Sequence, residues 1–182
     1  MIEKPYEGKL WIISGEIGAG KTKLCGVLIE TFRRLNWKVS GLRSPAIFEG
    51  EEKTGITVEN LETGEVRQLA VSDYKPDGLE DDPIHWTFDQ QVMEWGNQVF
   101  ANSVPTDLLV VDELGPLEMK KGQGWINAIA ALDSKSYHQA ILVMRPKLLR
   151  VAHEHWPWGK TIVIERVDQV EKMVGELMRE WM

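Results

Sequence analysis

Leu10-Trp11-Ile12-Ile13-Ser14, followed by Gly15-Glu16-Ile17-Gly18-Ala19-Gly20-Lys21-Thr22, is the stretch from which the fold is read. Leu10 to Ile13 is a short apolar run with the character of a buried strand. Residues 15–22 match G-x-x-x-x-G-K-[ST], the Walker A pattern, at every fixed position. A helix is expected from about Thr22 to Leu35. Leu24, Val27, Leu28, Phe32 and Leu35 share one face, and Asn36 ends it. Strand, glycine-rich turn and helix in that order can wrap a diphosphate with inward-pointing backbone N–H groups. The glycines permit positive φ and close approach, and the helix N-terminus favours an anion. Lys21 is then expected on the β/γ-phosphate oxygens, and the Thr22 hydroxyl on Mg2+. The nucleotide-binding residues expected are Gly15, Glu16, Ile17, Gly18, Ala19, Gly20, Lys21 and Thr22.

Downstream, Trp37 to Leu42 reads as the next strand. From about 43 to 70 the pattern changes to three β-like pieces, Ala46–Glu49, Gly55–Leu61 and Glu65–Ala70, divided by turns at Glu49-Gly50 and Thr63-Gly64. This predicts a small antiparallel insertion. Residues 72–83, with two prolines and five acidic side chains, predict an exposed loop. A helix is expected near Thr87, with Thr87 and Gln90 at capping-box spacing and Phe88, Val92, Trp95 and Val99 as its buried stripe. Helices at 124–132, 147–156 and from 168 onward alternate with apolar strands at 108–111, 140–144 and 161–164. That alternation argues an α/β fold with a mainly parallel central sheet.

Leu108-Leu109-Val110-Val111 ends in Asp112-Glu113, a Walker B-like arrangement. Beside a phosphate loop, the strand-end Asp112 is the expected Mg2+ ligand, usually through water. Glu113 is placed to orient or deprotonate an attacking water, which favours hydrolysis over transfer to a second substrate.

Composition narrows the function classes. The 182 residues are 27% charged and 43% hydrophobic, as in an ordinary globular protein, and one domain is expected across 1–182. The net charge of −7, with no long Lys/Arg run, argues against nucleic acid as a partner. No apolar stretch approaches the ~18 residues of a membrane helix, and the N-terminus does not read as a signal peptide. The single cysteine, Cys25, forms no internal disulfide, which fits a reducing cytosol, and it reads as a small buried hydrophobe. A cytoplasmic location is therefore expected. His153-Glu154-His155 places its histidines on different helix faces and does not read as a metal site. Asp77 to Asp82 reads as a solvated loop, and His85-Trp86 as loop packing.

Asp112-Glu113-Leu114-Gly115-Pro116-Leu117-Glu118 resembles the D-E-[IL]-G-x-[ML]-E segment of the small P-loop nucleoside triphosphatases known from thermophiles and as the human cancer-related nucleoside triphosphatase. Gly41, the Thr63-Gly64-Glu65 turn and Leu69-Ala70 extend the likeness, which covers roughly residues 9–145. The resemblance implies a three-layer P-loop sandwich with an extra strand between the two motif strands. It also implies Mg2+-dependent hydrolysis of nucleoside triphosphates (ATP, GTP and others) to diphosphate and phosphate, with loose base selectivity. By motif position, Lys21 and Glu113 take catalytic roles, and Thr22 and Asp112 hold the metal. Glu118 matches a motif position to which no role is assigned. Arg145, in Met144-Arg145-Pro146, is the candidate charge-stabilising residue, against a surface arginine before a helix-starting proline. Two other readings of the same residues are a nucleoside or nucleotide kinase, and a nucleotide-gated adaptor whose slow hydrolysis resets a switch; no protein partner is specified.

Overall fold

The structure is a computed structural model that describes residues 5–74 and 84–181. One sheet organises it. Five strands run parallel: β1 (Lys9–Ser14), β2 (Val39–Arg43), β7 (Thr106–Asp112), β8 (Tyr137–Met144) and β9 (Lys160–Val163), in the spatial order β2-β7-β8-β1-β9. β8 therefore separates β1, which leads into the glycine loop, from β7, which ends in Asp112. This is the extra strand implied by the resemblance.

The antiparallel segment is an extension of the same sheet. β3 (Ala46–Glu49) and β4 (Glu52–Asn60) form a hairpin, and β4 also pairs with β2 through Leu42–Asn60 and Arg43–Glu59. β5 (Val66–Tyr74) and β6 (Ile84–Phe88) continue outward from β4. Two expectations are corrected here. Residues 72–74 belong to β5, and 84–88 form an edge strand, so Thr87 and Phe88 precede the helix α2 (Gln90–Ala101). Asp89 caps α2 instead, its Oδ1 accepting from the amides of Gln91 at 2.9 Å and Val92 at 3.1 Å. Phe88 is 42% exposed and lies outside the buried stripe, whereas Val92 is buried and Trp95 and Val99 pack partly against the core. The backbone ladder from Ala70–Phe88 to Tyr74–Ile84 captures this segment, a pairing that helix-cap spacing cannot reveal. Asp77 to Asp82 lies outside the described residues.

Helices cover both faces. α1 (Lys21–Arg34) and α6 (Val170–Trp181) pack on one side with Trp11, Ile13, Leu108, Val110, Ile141 and Val143. α2, α4 (Ile126–Asp133) and α5 (Leu149–His155) pack on the other with Leu10, Ile12, Leu109, Val111, Leu142 and Met144. Successive residues of each parallel strand thus feed opposite cores, which is why those strands read as unbroken apolar runs. On α1 the buried face is Leu24, Cys25, Leu28, Ile29 and Phe32, and Leu35 is exposed at its C-cap beside left-handed Asn36. α4 starts at Ile126, after Gly124 at φ +73°. A helix at 116–121, α3 (Pro116–Lys121), is additional to those expected from the sequence. No helix among the described residues is long and apolar enough to cross a membrane.

Candidate active site

The sheet brings the two motifs together by register. β8 aligns Met144 with Ser14 of β1 on one side and Val143 with Asp112 of β7 on the other. The ends of three adjacent parallel strands therefore deliver the glycine loop, Arg145 and the Asp112-Glu113 pair to one edge, within about 10 Å at strand spacing.

Residues 15–20 bend from β1 into α1 through left-handed Gly18 (φ +80°) and Gly20 (φ +106°). Gly15 is buried beneath the loop, and a Cβ there would meet the Ile164 carbonyl oxygen at 2.2 Å. Ala19 is buried, while Glu16, Ile17 and Gly18 face outward, Ile17 being 91% exposed. Lys21 folds back over the loop and donates to the carbonyl oxygens of Gly15 at 2.6 Å and Glu16 at 2.8 Å. Partial burial lowers the Lys21 ammonium pKa, against the attraction of Glu113; Arg145 lowers it further. Thr22 is exposed in the first turn of α1.

Asp112 is 3% exposed. Its Oδ2 accepts from the Ser44 amide at 3.1 Å. Burial pushes its carboxyl up to about 6; the Ser44 hydrogen bond opposes that and the neighbouring Glu113 reinforces it. A charge so poorly hydrated is one that a cation would relieve. The hydroxyl of Ser44 is also buried without a hydrogen-bond partner among the described residues. Hard oxygen donors at Thr22 and Asp112, with an unsatisfied hydroxyl beside the carboxylate, fit a largely water-coordinated Mg2+. Such an ion needs only one or two protein carboxylates.

Glu113 reaches Arg145, whose Nε donates to Oε1 at 2.7 Å. The candidate arginine thus lies against the proposed water-orienting carboxylate. Glu118, unassigned from the sequence, is a buried strap: it accepts from the amides of Gly115 at 2.9 Å and Trp125 at 3.1 Å, tying the turn after Asp112-Glu113 to the start of α4. Cys25 sits fully buried on α1, where burial pushes its thiol up, as expected of a packing residue. His153 pairs with Thr161 and His155 with Asp133, so the two histidines diverge. Sequence reasoning missed Ser44, whose amide bonds Asp112 from 68 residues away, because only the pairing of β2 with β7 brings them together.

The chain is similar to known proteins over most of its length. A family model described as NTPase matches residues 11–171. The chain is 30% identical to the nucleoside-triphosphatase THEP1 of Pyrococcus abyssi over 115 residues, 62% of each chain. It is 25% identical to the nucleoside-triphosphatase THEP1 of Saccharolobus solfataricus over 98% of this chain and 95% of that one. Its fold superposes on a human cancer-related nucleoside triphosphatase with a TM-score of 0.62 at 19% identity, covering 94% of this chain and 98% of that one. It also superposes on THEP1 from Aquifex aeolicus with a TM-score of 0.61 at 17% identity, covering 95% and 98%.

Proposed function

The chain belongs to the NTPase family, and from that membership we propose that it is a Mg2+-dependent nucleoside-triphosphatase that releases phosphate from ATP, GTP and related nucleotides with loose base selectivity. The observation that carries this reading is the meeting of the glycine loop, Lys21, buried Asp112 and Glu113 at one end of the sheet.

In the proposed reaction the loop amides and the N-terminus of α1 hold the β- and γ-phosphates. The Lys21 ammonium exchanges its two loop carbonyls for phosphate oxygens and offsets charge developing at the γ-phosphate. Thr22 and Asp112 would hold Mg2+, whose chemistry is to neutralise and orient the triphosphate. Glu113 orients a water in line with the bond to be broken and takes its proton. Arg145, alongside Glu113, supplies a further positive charge. The proposed tolerance of different bases is carried over from the family resemblance. We assign the activity to a single domain in the cytoplasm, without nucleic acid or membrane partners.

Two variants test the reading. Glu113→Gln is expected to abolish phosphate release while retaining nucleotide binding. Lys21→Ala is expected to weaken nucleotide binding at least tenfold, the size of one charged hydrogen bond. Phosphate release from ATP, GTP, CTP and UTP, with and without Mg2+, provides the measurement. Undiminished release by the Glu113 variant removes that residue from the mechanism.

A further inference from the structure

Among its described residues the antiparallel insertion carries three cations, and one differs from the others. Arg43 is paired with Glu59 at 2.7 Å and Arg67 with Glu65 at 2.7 Å. Lys53 is in no ion pair with a carboxylate among the described residues. Its half-buried side chain lays the ammonium over the ring of Trp86, 4.9 Å from the centroid. An aromatic face holds an ammonium weakly and leaves it exchangeable.

The place of Lys53 follows from the chain path. Ser44, whose amide bonds Asp112, leads directly into β3, and β4 returns antiparallel to it. Phe48 faces Lys53, but Ile47 faces Gly55, so Thr54 is an extra residue beside Lys53. A bulge of this kind breaks the alternation of a strand and re-aims its side chains, often next to a site. Lys53 lies in the electrostatic field of Glu113, Arg145 and Asp112, which also act on Lys21 together with Glu16. Two lysines from separate segments thus act on the same carboxylate pair, Asp112 and Glu113, beside Arg145.

We propose that Lys53 is the residue through which the insertion enters the catalytic site, leaving the Trp86 ring to bind the terminal phosphate of a nucleoside triphosphate held by residues 15–22. The inference rests on the nucleoside-triphosphatase reading and adds to it a residue that distinguishes triphosphate from diphosphate. A diphosphate fills the glycine loop and presents no third phosphate for Lys53 to meet. The geometry therefore assigns to the insertion a part in sensing the reacting group.

The test measures binding of Mg2+-ATP and Mg2+-ADP to the Glu113→Gln protein, in which turnover is suppressed. Lys53→Gln in that background is expected to weaken ATP binding about tenfold or more, while ADP binding stays within about twofold. Lys53→Arg should restore most of the preference, and circular dichroism should show all three proteins folded. Equal losses for both nucleotides, or no loss for either, overturn the role of Lys53. A parent protein that binds ADP and ATP but shows no Lys53 effect overturns this inference alone. A parent that binds neither nucleotide overturns both this inference and the function on which it rests.

Discussion

Asp112 shows how a residue proposed to hold a metal can oppose stability. Its carboxyl is raised from 3.8 to about 6 chiefly by burial, so the folded state binds this proton more tightly than the unfolded chain does. The stability it contributes is present below pH ~4 and is lost as pH rises through about 6. Asp112→Asn keeps an oxygen for the Ser44 amide and removes the buried charge. In metal-free buffer at pH 8 it is expected to raise unfolding free energy by about 2–3 kcal/mol while eliminating phosphate release. Urea unfolding at pH 8 and pH 4.5 checks this: the advantage of the variant should shrink at the lower pH. An equal advantage at both would rule out burial of charge as the cause. At this scale Lys21, Thr22, Asp112 and Glu113 were legible in the sequence, because each sits at a fixed spacing from a local strand or turn. Ser44 and Lys53 were not, since no spacing along the chain relates residue 44 or 53 to residue 112.

Among the elements, the segment from Gly115 through α3 to α4 is held by one buried carboxylate. Glu118 accepts the amides of Gly115 and Trp125, and Gly124 lies against it with φ +73°. A Cβ at Gly124 would stand 2.1 Å from Glu118 Oε1, in a backbone region that L-residues enter at a cost. Gly124→Ala is therefore expected to destabilise the protein by about 2 kcal/mol or more and to lower turnover with it, because the turn it disrupts follows Glu113 directly. Thermal unfolding beside phosphate release measures both; a variant with the parent's midpoint would dismiss the strap. Helix α1 was readable from its apolar period, and strands β1, β7 and β8 from their continuous apolar runs. β6 was not: Thr87 and Gln90 have the spacing of a cap, yet the hydrogen-bond ladder with β5 is available only in the assembled sheet.

Across the molecule, the parallel strands are clamped between two helical layers, and the site forms where their ends meet the loops. Phe32 is wholly buried in the layer of α1 and α6, its ring 4.5 Å from that of Trp37 and 5.5 Å from that of Trp181. Phe32→Ala is expected to cost about 3–5 kcal/mol, read from urea denaturation. A loss below about 1 kcal/mol would mean that this face does not anchor α1, and with it the loop at its head. The order of elements, the alternation of strand and helix and the glycine loop between β1 and α1 were determined by the sequence alone, because steric and hydrophobic preferences act within a few residues. Strand order, the merging of the insertion with the main sheet and the contacts of Ser44 with Asp112 and of Arg145 with Glu113 were decided by tertiary structure. Backbone pairing is set by which edges and apolar faces can be buried together, and that choice couples residues far apart along the chain.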